Sequence, residues 1–220
     1  MKRIIRWASA LITIAALLPI LPVSALHAAD KAPNAASLAA MKAYKAVLQN
    51  EMAFYSTNNS KQYRLNEFDY WSGASDSQIK AVRFAVIDMD NDGIPELVLE
   101  LTNGFDGAFE VLHYENGKVY GFNFVYRGML NLSQDGTYLG SSGAYDACML
   151  KAASITDSYK EEIVAWSASG QDAKGNLVLS HHIGKAKVTE AEYDALLKKM
   201  FDNPAQWHDF TDAGIALAFQ

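Results

Sequence analysis

One cysteine, Cys148, is all that the 220 residues contain, so no disulfide can close within a single copy. It stands in the apolar run Ala147-Cys148-Met149-Leu150 and reads as a small buried residue, not as a nucleophile. Basic excess is lacking too. Lys plus Arg is 19 against 25 for Asp plus Glu, a net charge of −6. Binding to nucleic acid or anionic lipid rests on neutralising phosphates, so neither is expected as a partner. There is no glycine-rich phosphate loop of the Walker or dinucleotide type, and no serine on a glycine-flanked strand-to-helix elbow. Ser141-Ser142-Gly143 with Asp146 therefore reads as a turn. Self-similarity at periods of about 20 to 50 residues is absent. What the chain does have is apolar material: 50% hydrophobic and 11% aromatic, with 20% charged. Disorder is excluded, and a core for one domain is available.

The apolar material begins with Met1 to Ala29, which has the three parts of an export signal. Lys2, Arg3 and Arg6 open it, an apolar stretch from Trp7 to Leu26 follows, and small residues close it, with cleavage expected between Ala25 and Ala29. Pro19 and Pro22 argue against a permanent membrane helix, since each removes a helical donor. The expected product keeps 16 basic and all 25 acidic residues, a charge of −9. It is secreted or envelope-associated, off the membrane once the signal is gone, and monomeric. Residues 30–35 read as a linker and 36–220 as a single domain.

Leu38, Met41, Tyr44, Leu48, Met52 and Tyr55 recur at helical spacing and predict an N-terminal helix ending at Thr57-Asn58-Asn59-Ser60. The aromatics of 62–77 (Tyr63, Phe68, Tyr70, Trp71) show no clean period and suggest a short helix or an irregular segment. From Ala81 the signals are those of strands: 82–87, 97–101, 109–114, 119–126, 144–155, 161–167 and 177–183. Asn116-Gly117 between two apolar runs marks a hairpin. Thr189 and Glu192 form a capping-box signature for a helix stopped by Asn203-Pro204, and Trp207 to Phe219 reads as a last short helix. The expected fold is α+β, a curved antiparallel β-meander with N-terminal and C-terminal helices packed on it.

One stretch stands apart: Asp88-Met89-Asp90-Asn91-Asp92-Gly93-Ile94-Pro95-Glu96. Carboxylates at alternate positions repel one another by roughly 3 kcal/mol per pair at ~5 Å and an effective dielectric of about 20. A divalent cation removes that cost. The spacing suits Ca²⁺, with Asp88, Asp90 and Asp92 at loop positions one, three and five, and glycine at six for the bend. The Ile94 carbonyl falls at seven and Glu96 at nine, ligating directly or through water. Mg²⁺ demands tighter octahedral order, and Zn²⁺ would want His or Cys. Position twelve is Leu99, where the helix–loop–helix hand has its glutamate, and the flanks are strands. Affinity should therefore be modest.

The run Phe84 to Leu99 resembles a family of exported bacterial proteins, mostly Gram-positive, whose aspartate-rich loop ends in Pro-Glu-Leu. The tail Gly184 to Tyr193 is similar to theirs as well. The resemblance implies export and calcium binding, and nothing catalytic.

His181 and His182 point to opposite faces of one strand, and His113 and His208 stand alone. Asp106 and Glu110 are a candidate acid pair, and Asp88, Glu96 and Glu115 a candidate acidic rim. No catalytic residue is assigned. The expected function is that of an exported calcium-binding module for an envelope or extracellular ligand, with a hydrolase of envelope polymers as the alternative.

Overall fold

Beta structure dominates the computed structural model, which describes residues 34–67, 80–102, 108–125, 127–141 and 146–220. All of them belong to one unit, Pro33–Gln220. The leader, Phe68, Tyr70, Trp71, Asp106, Ser142 and Gly143 lie outside the described residues. No helix among those described is long and apolar enough to cross a membrane.

Helix α1 (Ala35–Leu48) starts inside the expected linker, because Asn34 caps it by accepting from Ser37 N–H at 2.7 Å. It buries Ala40, Ala43, Tyr44, Val47 and Leu48, while Leu38 is 58% exposed. The helix stops about two turns earlier than its apolar spacing predicts. Asn50 takes a left-handed φ of 59°, and the chain then enters strand β1 (Phe54–Ser56), carrying Tyr55 with it. Strand β2 (Lys61–Tyr63) and a 3₁₀ turn at Leu65–Glu67 follow, the described part of the segment expected as a short helix or an irregular stretch.

Strands β3 (Lys80–Ile87), β4 (Glu96–Thr102), β5 (Ala108–Glu115) and β6 (Lys118–Phe124) run antiparallel in sequence order. The Asn116-Gly117 turn closes β5–β6, with φ of 52° and 83° at its two central residues. β1 adds in parallel beside β6 with β2 antiparallel outside it, and β12 (His208–Asp209) pairs with part of β3, making seven strands. A second sheet holds β7 (Thr137–Ser141), β8 (Ala147–Ile155), β9 (Tyr159–Gln171), β10 (Leu177–Ile183) and β11 (Ala186–Val188), antiparallel throughout. The expected α+β architecture with helices at both ends is present, and its strands divide between these two sheets. β7 and β11 carry no signal strong enough to be read from sequence.

The division has a physical cause. β4 and β5 are buried on both faces: almost every residue of Glu96–Leu101 and Ala108–His113 is buried or nearly so. A strand buried on both sides needs a layer on each. Leu97, Leu99 and Leu112 pack with Tyr44, Val47 and Phe54 on the α1 side. Val98, Val111 and Phe122 pack with Tyr138 and Ile155 of the second sheet. Helix α2 (Glu190–Phe201) opens with the expected Thr189–Glu192 capping box and lays Tyr193 and Met200 on Met149 and Ala165. α3 (Asp212–Ala218) occupies part of the last segment, after β12.

Candidate metal centre

The aspartate-rich loop joins β3 to β4 at the seam between the sheets. Asn91 and Gly93 take left-handed φ values of 61° and 88°. Asparagine and glycine tolerate that region best, and the pair turns the chain back on itself. The loop's own amides converge on its carboxylates. Asp88 Oδ1 accepts from Asp92 N–H at 3.1 Å and Oδ2 from Gly93 N–H at 3.0 Å. Asp90 Oδ1 accepts from Asp92 N–H at 3.3 Å. Asn34, the cap of α1, donates to Gly93 C=O at 3.3 Å and ties the helix start to the loop.

Two contacts fasten the loop to the second sheet. Asp90 Oδ2 accepts from Ile155 N–H at 2.7 Å, at the end of β8. Met89, with no exposed surface, inserts into the inter-sheet core. A Cβ on Gly136, just before β7, would overlap the Met89 carbonyl, so only glycine fits there.

Beneath the loop, Glu96 is fully buried. Its Oε2 accepts from Met89 N–H at 2.8 Å, and Oε1 lies 2.9 Å from His113 Nδ1. Burial pushes the Glu96 carboxyl up to about 7, against the opposing pull of the bonds from His113 and Met89. For His113, burial favours the neutral ring. The bond to Glu96 and the nearby charges outweigh it, so His113 holds its proton above the usual histidine range. Burial also raises Asp92, opposed by Ile94 N–H and aided by the charges of Asp90 and Asp88.

Asp88, Asp90 and Glu96 each place an oxygen within 4.8 Å of the others. At that spacing and an effective dielectric of about 20, each pair of like charges costs ~3 kcal/mol. The group could hold a metal ion, and its donors are hard carboxylate oxygens suited to a hard cation. This group does not include Asp92, whose Oδ1 accepts from Ile94 N–H at 2.6 Å. The Ile94 side chain packs against the first core, and the expected ligand there is its backbone carbonyl.

The expected acidic rim is corrected. The register Leu97↔Leu112 sets Glu96 across from His113, and Glu115 lies two residues further on, opposite Lys118. Glu96 points inward and so belongs to no surface rim. His113 was legible only as an isolated histidine, because the β4–β5 register is not written in either strand alone.

A second carboxylate, Glu110, is also fully buried. Its Oε2 accepts from Asn123 Nδ2 at 3.1 Å, while Oε1 has no partner and fills the space above Gly121 that a Cβ would need. Burial raises its carboxyl to about 8. Glu110 shares its face of β5 with Leu112 in the first core, and Glu96 shares its face of β4 with Val98 in the second. Sheet one separates the two, so they cannot work as an acid pair. A groove of about 520 Å³ lies along the second sheet, lined in part by Phe124, Arg127, Asp146, Cys148, Glu161 and Ile163. Both of its acids already accept bonds, Asp146 from Ser169 and Glu161 from the Tyr138 hydroxyl.

No family model, curated protein or solved structure matches this chain.

Proposed function

We propose that the chain is an exported binding module in which Ca²⁺, held by Asp88, Asp90 and Glu96, staples the two sheets together. The observation that carries this reading is the position of Asp90. Asp90 places an oxygen within 4.8 Å of oxygens of Asp88 and Glu96, and its carboxylate also accepts from Ile155 in the second sheet. An ion that fixes Asp90 fixes the seam. Ca²⁺ is favoured over Mg²⁺ and Zn²⁺ by the all-oxygen donors, the alternate-residue spacing and the glycine bend at Gly93. The signal-like start at Met1 to Ala29 directs the protein to a compartment where millimolar calcium suits a site of modest affinity. The groove beside Phe124 and Arg127 is the surface offered to a ligand. Hydrolysis is less well supported, because neither buried glutamate faces that groove.

Thermal unfolding tests the proposal. With a dissociation constant of roughly 0.2 mM, 2 mM Ca²⁺ stabilises by ~1.4 kcal/mol. For a domain of this size that raises Tm by about 3–5 °C. EDTA reverses the rise. Asp88→Asn, which keeps the size of the side chain and removes one anionic ligand, abolishes it. Equal Tm with Ca²⁺ and with EDTA refutes the cation reading. Export is tested separately by N-terminal sequencing of the released protein, expected to begin just after Ala25 to Ala29.

A further inference from the structure

Several strand edges among the described residues are covered in part. Leu130 exchanges two 2.8 Å bonds with Leu139 along β7, β12 lies on β3, and β11 lies on the Ile183 end of β10. The other end of β10 is different. From Leu177 to Ser180 it pairs with β9 on one side, and among the described residues no strand pairs with the other.

Which backbone groups stand free follows from alternation, since successive residues of a strand direct N–H and C=O to opposite neighbours. Asn176 C=O accepts from Asp172 N–H at 3.0 Å, and Gly184 N–H donates to Val164 C=O at 2.8 Å, both toward β9. Even-numbered residues of β10 therefore face β9 and odd-numbered ones face outward. β11 takes His181 and Ile183, which leaves the N–H and C=O of Leu177 and Leu179. Leu177, Val178 and Leu179 are 56%, 47% and 41% exposed. Proteins ordinarily blunt such an edge with lysine, proline or a bulge. Asn176 to Ile183 contains no Lys, Arg, Asp, Glu or Pro, and the β9–β10 ladder has no register shift.

We propose that this edge pairs with the same edge of a second copy, antiparallel about a two-fold axis at Val178, so that two five-stranded sheets become one. A linear row of alternating donors and acceptors is satisfied by another strand, not by a compact ligand. The edge is self-complementary. Setting Leu177 against Leu179 of the second copy uses every free group on both copies. A shift of two residues either way drives one group against β11 or the Asp172–Asn176 turn. Val178 then meets Val178 of the second copy in the close, non-hydrogen-bonded pair. No charged side chain meets its like at the axis, so the net charge of −6 does not oppose the contact locally. With three residues from each copy, the contact falls well below the ~1,200 Å² of a standard interface. Association is therefore weak and reversible, in place of the expected monomer.

Sedimentation velocity of the purified chain, from low micromolar to millimolar concentration, is expected to show a reversible monomer–dimer equilibrium. Leu179→Pro removes an outward N–H and no bond to β9, and weakens the dimer about tenfold or more. Val178→Lys, which keeps every backbone group and sets like charges on the axis, weakens it in the same sense. In a Cys148→Ala background, Val178→Cys cross-links two copies on mild oxidation, while Leu177→Cys alone does not. A monomer at every concentration overturns the proposal. So does a dimer indifferent to both Leu179→Pro and Val178→Lys, or cross-linking of Leu177→Cys equal to that of Val178→Cys.

Discussion

Replacing Glu110 by glutamine should stabilise this protein at neutral pH, although it alters a fully buried residue. The carboxyl titrates near 8 in the folded chain because burial disfavours its charge, against 4.5 when exposed. At pH 7 the unfolded chain has ionised Glu110 and the folded chain has not. Keeping that proton costs about 3 kcal/mol, from 1.36 kcal/mol per pH unit between 4.5 and 7. The sign follows from a folded value above the unfolded one. The contribution of Glu110 is full below pH 4.5, declines as pH rises toward 8, and is flat beyond. Glutamine has the same shape, no proton to hold, and an oxygen that keeps the bond from Asn123. Urea unfolding of both proteins between pH 4 and 9 gives the difference directly. It should be near zero at the acid end and reach about 3 kcal/mol in favour of Glu110→Gln at pH 7, or a Tm higher by about 6–12 °C. Taking the difference cancels other groups, including Glu96. A stability difference that stays constant from pH 4 to 8 would show that Glu110 is solvated or charge-paired, and would refute the argument.

Gly136→Ala meets both a left-handed φ of 78° and the Met89 carbonyl, so it should cost about 2 kcal/mol or more and loosen the loop from the second sheet. Urea unfolding gives the size, and faster hydrogen exchange at Ile155 N–H marks the place. Thr189→Ala removes the capping bond to Glu192 N–H and should cost ~1 kcal/mol, with fraying of α2 visible in exchange at its first turn. An unchanged unfolding midpoint would mean that tertiary packing alone holds the start of α2.

Short-range features were legible in the amino-acid sequence. The Asn116-Gly117 hairpin, the Thr189–Glu192 box and the bend at Gly93 each depend on residues within three or four positions, where chemistry and spacing suffice. The end of α1 misled for a related reason. Met52 and Tyr55 continue the helical spacing of apolar residues, and periodicity alone cannot show that Asn50 turns left-handed and hands them to a strand. Two-sheet layering had a signal in Leu97-Val98-Leu99 of β4 and Val111-Leu112 of β5, consecutive apolar residues that lack the in–out alternation of a sheet with one wet face.

The acidic loop, its glycine bend, the α+β class and the impossibility of a disulfide within one copy are matters of local chemistry and count, readable from the residues alone. Tertiary structure alone decided that Glu96 meets His113 and that Asp90 reaches Ile155, 65 positions away. It likewise decided that Glu110 sits unionised over Gly121 and that the outer edge of Leu177 and Leu179 stays open. Strand register and sheet partnership place those groups. Both are set by which distant apolar faces bury each other, a choice that no short stretch of chain contains.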